Sequence, residues 1–422
     1  MDGLKKILAD MEVDTRLLGM IGALLVIWIG FDLFTDGRFI TPRNLFNLSV
    51  QTASVAVMAC GMVLIIVTRH IDLSVGSVLG VVAMVMGVVQ SDLLPEILGY
   101  EHPATWIVSL LIGIGVGAAI GCLQGVTVGF LGVPAFIVTL GGYLVWRGAA
   151  WWVTQGRTVA PLDSTFQLMG GGIDGTIGAT WSWVFAAIAI LAILGGTAYG
   201  RARRKSFDFP VKPLWAEIVT AGILSALVIA YVATMNAYPI PARAALRIAE
   251  EQGLPVPEGG LDIAHGVPIP ILIVAAVAIA MTILATRTRF GRYVFAMGGN
   301  PEAASLAGIN VKRMTAAIFV VMGILCAISA AIASARLQSA ANDLGTLDEL
   351  RVIAAAVIGG CSLAGGVGTI YGALLGALVM QSLQSGMALI GIDTSLQSII
   401  IGIVLVLAVW IDHLYRRRHG AH

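Results

Sequence analysis

The sequence predicts an all-α, polytopic membrane protein of about twelve transmembrane helices, and three observations carry that prediction. Of its 422 residues, 58% are hydrophobic and only 12% are charged, about half the charged share of an ordinary soluble domain. The apolar residues gather into runs of roughly 20, the length that crosses a bilayer as a helix, and at that length the hydrophobic content sets a ceiling near twelve crossings. The basic residues fall mostly in alternate connections between these runs, the asymmetry that orients membrane proteins.

Taken in order, hydropathy places spans at about 17–34, 47–68, 73–90, 104–130, 134–153, 181–199, 214–235, 268–286 and 313–335. The segment Arg351 to Leu363 is apolar but short and runs into the glycine-rich SLAGGVG, so it reads as a short or broken tenth span. The runs 368–390 and 395–412 complete twelve. The first sixteen residues mix Lys5, Lys6 and Arg16 with Glu12 and Asp14, and no small-residue cleavage site follows. The first span is therefore expected to be retained.

With the N-terminus inside, the cytoplasmic segments hold Lys5, Lys6, Arg16, Arg69, the RARRK cluster with Lys212, Arg287, Arg289, Arg292, Lys312, Arg313 and Arg416 to Arg418, most of the 25 basic residues. Both termini are accordingly expected in the cytoplasm. An odd count would strand the terminal arginines outside. The outer side carries many acids, Asp92, Glu96, Glu101, Asp163, Asp343, Asp348 and Glu349 among them. No connection is long enough for a separate soluble domain, so residues 1–422 read as one transmembrane domain.

Several functions are excluded. Lys and Arg (25) nearly balance Asp and Glu (24), which leaves no basic excess for nucleic acid. Cys60, Cys122, Cys326 and Cys361 lie singly in apolar stretches, without disulfide or zinc spacing. No Lys follows a Gly, so the chain has no phosphate-cradling P-loop, and GxSxG and HExxH are also missing. No catalytic residue, metal or cofactor is expected.

Four constellations remain. Gly113, Gly117, Gly121, Gly125 and Gly129 recur every fourth residue, giving one helix a face without side chains that admits a neighbouring backbone closely. That face serves helix packing or, alternatively, a glycine-lined wall. In RHIDLSVGS, Arg69 to Ser77, Asp72 is placed to cap a helix with Ser74 and Ser77 tying down its first turn. Asp72, Ser74, Gln124 and Arg147 are polar residues in or at the edges of spans and are candidates for a substrate route; Arg147 alternatively snorkels outward beside Trp146, Trp151 and Trp152. Last, the connection 287–313 holds a short helix. Asn300 is a favourable N-cap, Pro301 suits the first turn and Glu302 complements the helix dipole. Ala303, Ala304, Leu306 and Ala307 offer a smooth apolar face, and Gly308 ends the helix. Such a helix is shaped for another protein to grip, where the alternative is an interfacial turn.

IDLSVGS at Ile71 to Ser77, RTRFGRYVFAMGGNPEAASLAGINV at Arg287 to Val311 and AAAVIGGCSLAGGVGTIYGALLGAL at Ala354 to Leu378 resemble the signatures of one family: permease subunits of bacterial ABC importers for pentoses and related monosaccharides. The resemblance covers nearly the whole chain. It implies a type II importer-like fold in the inner membrane, surrounded by lipid and working as a pair of copies. A cytoplasmic sugar-importing ATPase and a periplasmic sugar-binding protein would be its partners, with 287–313 as the coupling loop. Many members have two glycines before IDLSVGS, where this chain has Arg69 and His70. Most members also lack the segment of about 200–267, an insertion that resembles xylose-type permeases and implies D-xylose as cargo. Rival readings are an ion-coupled secondary sugar carrier, a membrane enzyme, or ribose, arabinose or galactose as the sugar.

Overall fold

The computed structural model describes residues 11, 12, 15–252 and 262–418. Lys5 and Lys6, counted above for orientation, lie outside them. In chain order the helices are α1 (Thr15–Phe34), α2 (Pro42–Val67), α3 (Val75–Val88), α4 (Thr105–Gly129), α5 (Ala135–Thr154), α6 (Gly178–Ser206), α7 (Leu214–Asn236) and α8 (Ala242–Gln252). There follow α9 (Ile269–Arg287), α10 (Arg289–Gly299), α11 (Pro301–Leu306), α12 (Val311–Leu337), α13 (Asp348–Ile358), α14 (Ile370–Leu389) and α15 (Thr394–Arg418). A π-helical turn at Val89–Leu93 joins α3 to the short helix Leu94–Leu98.

Nine helices among the described residues are long and apolar enough to cross a membrane. Three expected crossings fall outside that set for identifiable reasons. Helix α5 has 20 residues but carries Arg147, three glycines and three tryptophans, which lower its hydropathy. Helix α13 has 11 residues, about 16 Å of length against the ~30 Å of a bilayer core. The apolar part of α15 is short, Thr394–Leu407.

The chain divides into two compact units. One comprises the segment ending at Gly19, Ile40–Asn47 and Thr176–Pro268. Its body is the hairpin of α6 and α7, closed at the turn by Arg201, which donates to the Lys212 carbonyl at 3.0 Å and pairs with Glu217 at 2.8 Å. Glu12 accepts from both terminal nitrogens of Arg204 at 3.1 Å. At the other end of the hairpin the His265 ring stacks on Tyr238 at 4.3 Å, with Phe46 tilted against both.

The second unit holds Met20–Phe39, Leu48–Gly175 and the chain from Ile269 onward. Its buried core is built from α2, α3, α12, α13 and α14. The glycine row of α4 lies antiparallel against α12: a Cβ at Gly117 would strike the Gly323 carbonyl, one at Gly121 the Phe319 carbonyl, and one at Gly125 would come within 2.7 Å of Ala316 Cα. Gly129 meets the Lys312 carbonyl, and Gly113 turns instead to Met86 of α3. In lipid, where burying apolar surface drives little association, such close backbone approach is a main source of helix adhesion. Gly372 and Gly376 of α14 pack in the same way on Gly359 and Ala355 around α13.

Between α12 and α13 the structure departs from the sequence reading. Residues 338–347 do not form an outer loop but run back along α3. Ala340 lies by Gly87, the Leu344 carbonyl would be 3.0 Å from a Cβ at Gly80, and Gly345 meets Gly76 backbone to backbone. Asp348 and Glu349, expected among the outer acids, open α13 instead, and Glu349 is buried.

Candidate functional site

Turn hydrogen bonds and a bridge between Ala340 and Val159 hold most of the re-entrant segment 338–347, but these bonds do not serve the Asn342 and Leu344 carbonyls, and an unpaired carbonyl in an apolar setting costs several kcal/mol. Arg147 on α5 meets this need, its Nη1 donating to the carbonyls of Asn342 at 3.0 Å and Leu344 at 2.9 Å. Arg147 thus reaches inward to the re-entrant backbone, and the outward snorkelling alternative does not describe it. Gly345, at φ +74, allows the contact with Gly76. Leu347 then turns the chain through a left-handed conformation into α13.

Beside this segment, α2, α14 and the ends of α12 and α13 line an open cavity of about 320 Å³, near the lower end of the ~300–1,000 Å³ usual for small-molecule sites. Gln51, Arg336, Asp348, Arg351, Gln381 and Gln384 line it. Gln381 donates to Gln51 at 2.9 Å, and Arg351 pairs with Asp348 at 2.9 Å. Arg336, Arg351, Asp343 and Asp348 all line this cavity, two charges of each sign. Amides, which both donate and accept, together with paired ions give a surface that can hydrogen-bond an uncharged polyhydroxyl molecule. Sequence reasoning did not assign these residues to a route, and read Asp348 only as an outer acid. The available signal was three glutamines, Gln51, Gln381 and Gln384, inside otherwise apolar helices.

The structure brings three of the four route candidates together. Asp72 Oδ1 accepts from the Ser74 amide at 2.8 Å and its hydroxyl at 2.6 Å, and Gln124 Nε2 donates to Ser74 Oγ at 2.9 Å. All three are buried, and the Trp146 indole lies alongside them around Gly142. Arg147, the fourth, follows Trp146 on α5 and reaches the re-entrant segment instead. The cap of α3 is Ser74 and not Asp72, which braces Ser74 from two residues upstream. The Ser77 hydroxyl has no partner and does not tie down the turn.

The coupling loop is built from consecutive capped helices. Thr288 caps α10, Asn300 accepts from the Ala303 amide at 3.0 Å to cap α11, and Asn310 caps α12 in the same way. Gly308, at φ +86, closes α11, with Gly308 N donating to Ser305 and Ile309 N to Ala304, both at 3.0 Å. Glu302, Ala303, Ala307 and Gly308 are exposed, and Leu306 is 90% exposed. Ala304 is 5% exposed and faces inward. It therefore anchors the helix and does not belong to the outward apolar face expected from sequence.

The profile of a family described as branched-chain amino acid transport system, permease component, matches residues 44–409. The xylose transport system permease protein XylH of Escherichia coli K12 is 36% identical over 407 residues, 96% of this chain and 94% of that protein. XylH of Haemophilus influenzae is 35% identical over 95% of this chain and 97% of its own length. The ribose import permease protein RbsC of E. coli K12 is 32% identical over 89% and 87%. No solved structure matches the chain. Importers of this type work with an ATPase and a binding protein, and the permease itself catalyses no reaction. The chain belongs to the branched-chain amino acid and sugar permease family and is the multi-pass membrane component of an ABC sugar importer.

Proposed function

We propose that this permease carries a pentose, D-xylose, through a route formed by two copies of the chain in the bacterial inner membrane. The observation that carries the choice of sugar is the 36% identity to a xylose permease across 96% of the chain. The neutral, amide-rich cavity at Gln51, Gln381 and Asp348 supports an uncharged, hydroxyl-bearing cargo. Asp72, Ser74 and Gln124 continue the route as a second polar cluster, and Arg147 shapes it by holding the re-entrant carbonyls.

The nine long apolar helices, together with α5, α15 and the half-length α13, give the twelve crossings of this reading. The distribution of Lys and Arg then supports cytoplasmic termini and a cytoplasmic 287–313 loop. Asn300, Pro301, Glu302, Ala303, Leu306, Ala307 and Gly308 dock the ATPase, with Ala304 seating the helix beneath them. The binding protein delivers sugar to the opposite face. Exposed apolar side chains such as Leu33, Phe34 and Trp152 meet lipid. The insertion of about 200–267 is an addition to a single permease domain, supported by its falling within one of the two compact units, which it shares with Ile40–Asn47 and the chain from Thr176.

Uptake of labelled xylose into proteoliposomes holding the permease, its ATPase and its binding protein tests the reading. ATP-dependent accumulation of xylose is expected. Accumulation on a proton gradient without the ATPase would overturn it. The similarity to a ribose permease across 89% of the chain favours ribose as the second reading, and uptake of ribose with exclusion of xylose would select it.

A further inference from the structure

At the end of α2 the backbone of Arg69 stands at φ +63, a conformation that side-chain-bearing residues of this size rarely adopt and that glycine adopts freely. An arginine held there has a compensating contact, and the structure supplies it. Arg69 Nε donates to the Gly298 carbonyl at 3.0 Å and Nη2 to the Gly299 carbonyl at 2.6 Å. These are the last two carbonyls of α10, which have no partner within the helix. The next residue, Asn300, is the cap of α11.

The stem of this side chain is packed against backbone although the residue is exposed. Gly366 N donates to the Val67 carbonyl at 2.9 Å. The Gly298 backbone lies against that same carbonyl, where any Cβ would collide. On the other side, a Cβ at Gly365 would sit 2.9 Å from Arg69 Nε. Arg69 therefore bridges the end of α2, the end of α10 and the glycine-rich loop before α14. Three residues after it comes Asp72, which holds Ser74 and through it Gln124.

We propose that Arg69 is the tie that transmits movement of the ATPase-docking helix α11 to the polar turn at Asp72 and Ser74. It is a positioning residue, acting through the carbonyls it holds, and the inference rests on the reading that α11 docks the ATPase. A two-pronged guanidinium grips two adjacent carbonyls, so displacement of α10 pulls on the backbone at 69. A lysine could serve only one carbonyl at a time.

The test uses the full transporter in proteoliposomes and reads sugar imported per ATP hydrolysed. Arg69→Gly keeps the backbone conformation and removes the tie. It is expected to co-purify the ATPase at the wild-type level and to lower the sugar-to-ATP ratio about tenfold, as loss of a charged, two-pronged contact implies. Arg69→Lys should lower it about threefold, and serves as the readout if the glycine variant is poorly inserted. An unchanged ratio in an inserted variant overturns the proposal. Leu306→Asp separates the underlying reading: if that variant still binds the ATPase normally, α11 is not the docking helix and the reading fails independently of Arg69.

Discussion

Gly117 and Gly323 occlude one another: each stands where a side-chain carbon on the other would strike a backbone carbonyl. The α4–α12 contact is therefore specified by the absence of atoms on both helices. Gly117→Val should force the pair apart and cost about 1–3 kcal/mol or more, since overpacking a close contact is relieved only by backbone shifts. Gly115, on the same helix with nothing within 4 Å of its Cβ position, should accept alanine without loss. Thermal unfolding of the two variants in detergent checks the contrast, and equal melting temperatures would count against it.

The outward face of α11 and its seat should respond differently to the same charge. Leu306→Asp leaves the permease folded and weakens ATPase binding by about 2–4 kcal/mol if Leu306 is a central anchor. Ala304→Asp buries a carboxylate within the permease and destabilises the loop itself. Limited proteolysis of the isolated permease separates them, with the 287–313 connection cut faster only in Ala304→Asp.

Removing the Arg147 grip should impair transport more than assembly. Arg147→Met fills much of the same volume but leaves the Asn342 and Leu344 carbonyls without their donor, and such charged hydrogen bonds are worth about 1.5–3 kcal/mol each. Sugar uptake should fall at least ~10-fold while the ATPase still co-purifies. Gln381→Leu should act at the cavity wall, raising the KM for sugar about 5- to 50-fold through one or two lost neutral hydrogen bonds.

His265 gives a pH signature outside the spans. Burial among Phe46 and Tyr238 holds its imidazole below the usual value near 6.5, only partly offset by the contact with the Tyr238 carbonyl. The neutral ring therefore favours the fold. Its contribution is fully present above the unfolded value and is lost as pH falls through the lowered folded one. The protection of amides in 238–240 and 262–268, measured against their intrinsic exchange rates, should fall as pH drops from 7 to 5, and His265→Phe should flatten that dependence.

The long helices were legible because hydropathy alone places them, and the glycine row because a four-residue period survives in any single sequence. The re-entrant segment was not, because Ser339 to Thr346 has the small and polar composition of an exposed loop; only contact with Gly76 and Gly80 reveals that it turns inward. Asp348 and Glu349 were misassigned with it. The six residues of α11 are too few to show an amphipathic period, which is why Ala304 could not be distinguished from Ala303 and Ala307. Arg69 read as a departure from a glycine pattern, and its partners 229 and 230 residues away are set by tertiary structure alone.

The balanced wall of the cavity has an electrical consequence. An elementary charge moved through 100 mV of membrane potential exchanges about 2.3 kcal/mol with the field. Along the route proposed here, a neutral sugar passing Arg336 and Arg351, offset by Asp343 and Asp348, carries no charge with it and meets a wall of balanced charge. Voltage then does no work on the cargo itself in either direction, and any voltage dependence of uptake would come from charges that move with the protein.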